Sequence, residues 1–478
     1  IKRKSRLLDL RFFLYGGNMK KQNSESKMAV MPVKKLMLVM GIPMIISMML
    51  QALYNIVDSA FVSNMKENGE TALNALTLAF PVQMLMVAIG IGSGVGVNAL
   101  LSKSLGQGDK EKADKIVGNA YFLGIVIYIL FALFGVFGVE AYINTQTDTT
   151  IVHDMAVKYL KICCIVSPGI VFFSFFEKML QATGRSHLST IAQVAGAVTN
   201  IILDPILIYG LCGMPKLGVA GAAWATVIGQ IVSCVCGLVF HLKFNSEISN
   251  KYIYIKPDGG IIKEIYSIGL PAIIAQALMS IMTYGMNIIL KRVGENAVTA
   301  YGLYYKIQQF ILFAAFGLRD AVTPIVSYNY GMGSRKRVSD GVKYGMIYTL
   351  GIMLIGTLII EVVANPLAHV FGLSGVTEKM YIAAMRVISI SFVFAGANVA
   401  FQGVFQALDS GLQSLVISIC RQTLFVLPVA WGFSFVAAAD NGMIWLVWTT
   451  FIIAEVLSCV IAVIFMMKIN KTKIKTLK

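Results

Sequence analysis

The chain has 478 residues, 57% hydrophobic and only 13% charged, with a mean hydropathy of +0.74 and a formal net charge of +16. Soluble domains carry nearer a quarter charged residues, so a soluble fold is excluded and an all-α integral membrane protein is expected. The basic excess does not indicate nucleic acid. The cations sit in short tails and connections, with no basic stripe interleaved with aromatics.

In chain order, residues 1–34 form a basic segment expected to be cytoplasmic. "IKRKSRLLDLRFFLYGG" lacks an apolar region of signal-peptide length, so no cleaved signal is expected. The amino terminus is expected to be a fragment or an upstream read-through, with Met19 and Met28 as candidate starts. Twelve apolar blocks follow, each long enough to cross a bilayer. They cover roughly 36–62, 74–102, 117–141, 157–180, 189–211, 217–241, 265–290, 298–328, 342–364, 380–406, 413–437 and 442–467. The tails and the connections after the even-numbered spans hold 29 of the 40 lysines and arginines. By the positive-inside rule both termini are cytoplasmic, and a multi-pass cell-membrane protein is expected.

The chain repeats itself. "GIPMIISMML" from Gly41 matches "GLPAIIAQAL" from Gly269, and "SLGQGDKEKAD" from Ser104 aligns with "NYGMGSRKRVSD" from Asn329. The first pair is offset by 228 and the second by 225, and "KMLQATGRS" and "GVFQALDSG" hold the offset of 225 through Gln181 and Gln406. An even number of spans per repeat makes the halves parallel, an arrangement used by transporters that rock one bundle against the other. The predicted organisation is an N-lobe at 35–243, a cytoplasmic linker at 244–262, a C-lobe at 263–468 and a basic tail at 469–478.

Within the spans, polar residues gather in the first half. Gln51, Asn55 and Asp58 share one face of span 1. Asn200 and Asp204 form an i, i+4 pair in span 5, followed by Pro205, whose missing N–H frees the Ile201 carbonyl. Thr226 in span 6 lies at a similar depth. A carboxylate within a span marks an ion or substrate path by default, and these oxygens suit Na⁺ or a proton. At the repeat offset the C-terminal half has Phe425 and Val429 in place of Asn200 and Asp204. Scaffold duplicated without its polar cluster argues that the cluster serves function.

Other features read as structural. "GIGSGVGV" at 90–97 is expected to pack helices closely. The seven cysteines act as small hydrophobes, with no CxxC pair and no metal set. The histidines at 153, 187, 241 and 369, with Trp445 and Trp448, are expected near the membrane interfaces. Lys306, Arg319, Arg386 and Arg421 lie within spans and are expected to pair with acids such as Asp320, Glu361 and Glu455. A basic cavity for an anionic substrate is the alternative.

The ordered motifs "GIP", "YNIVDSAFVS", "LGQGD", "LQATGRS", "NIILDPILIYG" and "GVAGAAWAT" resemble the MATE (multidrug and toxin extrusion) family, in its prokaryotic DinF/MepA-like branch. The resemblance spans about residues 33 to 468. It implies twelve helices in a V-shaped pair of six-helix bundles. It also implies export of amphipathic, mostly cationic organic compounds in exchange for Na⁺ or H⁺. The family's amino-lobe cation site carries over to Asp58, Asn200, Asp204 and, less directly, Thr226, with Gln51, Asn55 and Pro205 in support. The NorM-like branch also has carboxylates in spans 7 and 10. Here span 7 has only Glu264 at its edge and span 10 has none, so coupling is expected through the N-lobe alone. The expected partners are small organic cations and the bilayer, with no nucleic acid, no cofactor beyond the coupling ion, and a monomeric state. The rivals are a lipid-linked oligosaccharide flippase of the same superfamily, an integral membrane enzyme and, further off, a receptor. No nucleophile–base set supports an enzyme.

Overall fold

The computed structural model describes residues 26–65 and 69–477, with every side chain among them except those of residues 54–56, 70 and 252. The first 25 residues of the basic amino-terminal segment, with Met19, and Lys66 therefore fall outside the described residues. All described secondary structure is helical. The spans are α1 (Val33–Ser63), α2 (Thr71–Gln107), α3 (Lys110–Asn144), α4 (Thr150–Ile165 with Pro168–Ala182), α5 (Ser186–Tyr209) and α6 (Val219–Phe244). The second half has α7 (Gly259–Lys291), α8 (Glu295–Gly331), α9 (Arg335–Val370), α10 (Gly375–Ser389 with Phe392–Ala407), α11 (Gly411–Ala439) and α12 (Asn441–Ile474). Twelve crossings result, as the apolar blocks require.

Only α4 and α10 are broken, by 46° and 50°, and the two breaks occupy matching places in the repeat. In α4 the cause is Pro168, which opens the second segment and cannot donate to the preceding turn. In α10 no proline is present. Ser389 and Ser391 instead donate to the carbonyls of Arg386 (2.9 Å) and Ile388 (2.7 Å), competing with the helix's own bonds.

The outer surface is apolar. Phe137 is 77% exposed, Val362 76% and Leu130 61%, which is tolerable only against lipid. Each bundle has its own core: Phe131, Tyr159, Phe175 and Met179 in the first, Tyr301, Tyr304, Tyr381, Phe392 and Trp448 in the second.

The bundles meet where α1 and α2 pack on α8 and α7. Small residues allow the approach. A Cβ on Gly92 would lie 2.7 Å from the Ile273 backbone nitrogen, and one on Gly317 would lie 2.7 Å from that of Ile45. The same holds for Gly96 against the Ile265 carbonyl, so "GIGSGVGV" is a helix-packing stretch. These contacts all fall in the half of each span nearer the face that carries the chain ends. The two six-helix bundles form a V-shaped pair.

At the chain-end face the lobes are joined by polar contacts. Lys103 pairs with Asp409, and Lys112 with Glu264 at 2.7 Å. The connection after α6 is stitched to the N-lobe: Ser249 and Asp258 donate backbone N–H groups to Asp114 and Asn119, each at 2.8 Å. His241, expected at an interface, is fully buried between Asn245 and Asn250, 2.9 Å from each, as part of that attachment. Trp448, expected in an interfacial belt, does not reach the surface. It is fully buried and stacks on Tyr301 with ring centroids 6.2 Å apart.

Candidate functional site

The site begins with how closely α5 and α6 approach. Gly196 and Gly229 face each other: a Cβ on Gly229 would lie 2.7 Å from the Gly196 carbonyl oxygen and 3.0 Å from the Asn200 Cβ. That contact presses the Asn200 face of α5 onto α6. At the far end, the Tyr209 hydroxyl donates to the Phe61 carbonyl at 2.6 Å and ties α5 to α1. The helix runs unbroken through Pro205, so the proline deletes one backbone bond without severing the span.

Asp204 is completely buried and Asn200 nearly so. The Asn200 Nδ2 donates to Asp204 Oδ1 at 3.3 Å, as the i, i+4 spacing predicts. Asp58 on α1 is close enough to Asp204 for their charges to interact. Three enclosed oxygens have no hydrogen-bond partner among the described residues: Asp58 Oδ1, Asn200 Oδ1 and Asp204 Oδ2. Buried polar atoms in native proteins are nearly always satisfied; open acceptors on Asn200 and Asp204, one turn apart on α5, with Asp58 on α1, suit a proton or a hard cation. Among the described residues no group of histidines, cysteines and acids is arranged to hold a metal.

Two adjoining cavities flank this cluster inside the N-lobe. The larger, about 300 Å³, is lined by Gln51, Asp58, Gln83, Tyr159, Thr226 and Gln230 among apolar side chains including Phe80 and Met84. The smaller, about 80 Å³, shares Gln51, Thr226 and Gln230 and extends past Asn200 to Gln193 and Glu177. Asp58, Gln51, Thr226 and Asn200 therefore line the cavities, and Asp204 sits behind Asn200. Pro205 lines neither cavity, and the side chain of Asn55 lies outside the described residues. Gln83, Tyr159 and Gln230 were not singled out from sequence. Gln83 donates to the Tyr159 hydroxyl at 3.2 Å, a pairing across 76 positions that leaves no local pattern.

The intramembrane cations mostly have partners. Arg421 makes a two-pronged contact with Glu455 at 2.6 and 3.0 Å, and Asn398 donates to the same carboxylate at 2.7 Å. Arg319 holds Asp320 at 2.9 Å, so the condition for a basic cavity is not met there. Arg386 reaches only Asn365, at 3.4 Å, and is exposed, as is Lys306. Glu361 lies 3.0 Å from the Ser389 hydroxyl, and no cation pairs with it among the described residues.

One cation was misplaced by the sequence count. Lys178, included with the cytoplasmic connection after span 4, lies within α4 and is fully buried. Its stem crosses Gly94, and its Nζ reaches Gln181 Oε1 at 3.0 Å and Asp320 Oδ2 of the other lobe at 2.5 Å. The positive-inside count assigns any cation near a span end to a loop, and the partner lies 142 residues away.

The sequence model of the MatE family matches residues 43–206 and 271–431, one stretch in each repeat. The multidrug export protein MepA of Staphylococcus aureus (strain MRSA252) is 26% identical over 437 residues, covering 91% of this chain and 93% of that protein. MepA of Staphylococcus saprophyticus is 25% identical over 434 residues, covering 90% and 93%. A solved outward-facing conformation of a multidrug resistance MATE family transporter of the MOP superfamily superposes with a TM-score of 0.87 at 24% identity. It covers 95% of this chain and 100% of that one.

Proposed function

The chain belongs to the MatE family, a family of multi-pass membrane transporters and not of enzymes, and from that premise we propose an antiporter that exports amphipathic, mostly cationic organic compounds in exchange for Na⁺ or H⁺. The observation that carries the coupling is the set of unpartnered oxygens on Asp58, Asn200 and Asp204 beside a drug-sized cavity. The drug-export character is supported by the similarity to MepA.

In this reading an ion entering from the open side of the V takes the place of a cationic substrate. Two carboxylates without counterions favour any cation in the cavity. A proton or Na⁺ on Asp58 and Asp204 removes that attraction and satisfies the open oxygens. The hydrogen bonds around α5 then rearrange, with Pro205 supplying a weak point in its backbone. The cavity loses its hold on the substrate, which leaves through the V. One charge moving down 100 mV releases about 2.3 kcal/mol, enough for a roughly fiftyfold gradient of a neutral compound, whereas a singly charged cation exchanged for one ion draws on the ion's concentration gradient alone. Both termini are cytoplasmic in this reading, in the plasma membrane. The coupling lies in the N-lobe, because α11 places Phe425 beside a π-turn where α5 carries Asn200.

The test uses inverted vesicles given an external fluorescent organic cation, with Na⁺ or acid trapped inside. Uptake is expected under at least one gradient, and Asp204→Asn is expected to abolish the gradient-driven part. Absence of uptake under both gradients, or full uptake by Asp204→Asn, overturns the reading.

A further inference from the structure

Glu177 is a buried acid that the coupling cluster does not use. It lies on α4, 7% exposed, on the wall of the smaller cavity. Its Oε1 accepts from Gln181 Nε2 at 3.0 Å. No cation pairs with it among the described residues. Its sequence neighbour Lys178 reaches Asp320, which also holds Arg319, and is linked to Glu177 through Gln181, whose Oε1 accepts from the Lys178 Nζ at 3.0 Å.

A buried carboxylate held by a single amide is poorly compensated. The surroundings supply the rest of a receptor for a cation. Ser174, Gln193, Gln230 and Ser233 line the same cavity with oxygens, and Phe173 contributes an aromatic wall. The volume, about 80 Å³, is near half that of a cavity that admits benzene, so it suits a head group and not a whole drug. The larger cavity, which shares Gln51, Thr226 and Gln230 as lining, is sized and lined for an apolar body. Along α5, the stretch from Asn200 to Gln193 rises ~10 Å, so the smaller cavity runs from the coupling cluster towards Glu177.

We propose that Glu177 forms an ammonium subsite, which selects amphipathic compounds whose positive charge sits on a slim alkylammonium tail. The Glu177 carboxylate accepts hydrogen bonds from the ammonium, the serine and glutamine oxygens take its remaining N–H groups, and the apolar body stays in the larger cavity. The proposal rests on the export reading only for the substrate being a cation.

The test is equilibrium binding to purified protein, without any ion gradient. Two probes share a dansyl sulfonamide body and a pentyl tail, one ending in a primary ammonium and the other in a hydroxyl. The wild type is expected to bind the ammonium probe about tenfold more tightly than the hydroxyl probe. Glu177→Gln is expected to erase that preference by weakening the ammonium probe alone, and Glu177→Asp to keep part of it. Equal affinity of the wild type for both probes, failure to bind the ammonium probe, or a loss in Glu177→Gln common to both probes overturns the subsite. Thermal unfolding of each variant identifies a common loss that comes from misfolding, and Glu177→Asp then decides. Vesicle uptake of the ammonium probe, which Asp204→Asn removes and Glu177→Gln only shifts to higher KM, reports on the antiport reading independently.

Discussion

At the scale of single residues, Asp409 shows most clearly how the two halves have diverged. It adopts a left-handed backbone with φ of 51°. The residue 225 positions earlier is Gly184, with φ of 78°, and a glycine takes that conformation without strain. An aspartate there stores about 1 kcal/mol and in return reaches Lys103 of the other lobe. Exchanging Asp409 for glycine relieves the strain and removes the contact. The expected result is an unfolding free energy within about 1 kcal/mol of wild type, together with a wider separation of the lobes at the chain-end face. Spin labels at the exposed positions 110 and 335 measure that separation, and an unchanged distance distribution refutes the role given to Asp409.

At the scale of elements, the helices and their repeat were legible because apolar blocks and breaker residues are local signals. The Asn200–Asp204 pair was legible for the same reason, since helical spacing places both on one face. Lys178–Asp320 and Gln83–Tyr159 were not, because each joins helices distant in sequence. Trp448 was misassigned because an interfacial preference is only a tendency, which burial against Tyr301 overrides; His241 does lie in the last turn of α6, and its burial against the linker asparagines left no local signal. The seam between α5 and α6 yields its own prediction. A leucine at Gly196 must displace the Gly229 carbonyl and Ser233, an overpacking of about 1–3 kcal/mol, and it pulls Asn200 away from α6. The expected variant folds with a lowered melting temperature and loses ion-driven uptake. Wild-type uptake by Gly196→Leu would show that the seam does not position the site.

At the scale of the whole molecule, the buried pair between α4 and α8 sets an asymmetry. Asp320 serves two cations, Lys178 and Arg319. Neutralising it as Asp320→Asn strands both, an expected loss of about 3–5 kcal/mol. Lys178→Met leaves Asp320 still held by Arg319 and should cost less than half as much. Thermal unfolding of the two variants in one detergent orders them, and the reverse order refutes the shared-carboxylate arrangement. For the lobes to open at the chain-end face, α4 must part from α8, and the charges of Lys178 and Asp320 then meet water. Hydration replaces most of what the contact supplied, so the two end states differ little in energy on this account. The steep part of the path is the moment when the charges have separated and the gap is still dry. In the proposed antiport, wetting of one narrow seam, with no strong end-state preference, would therefore set how fast the lobes exchange.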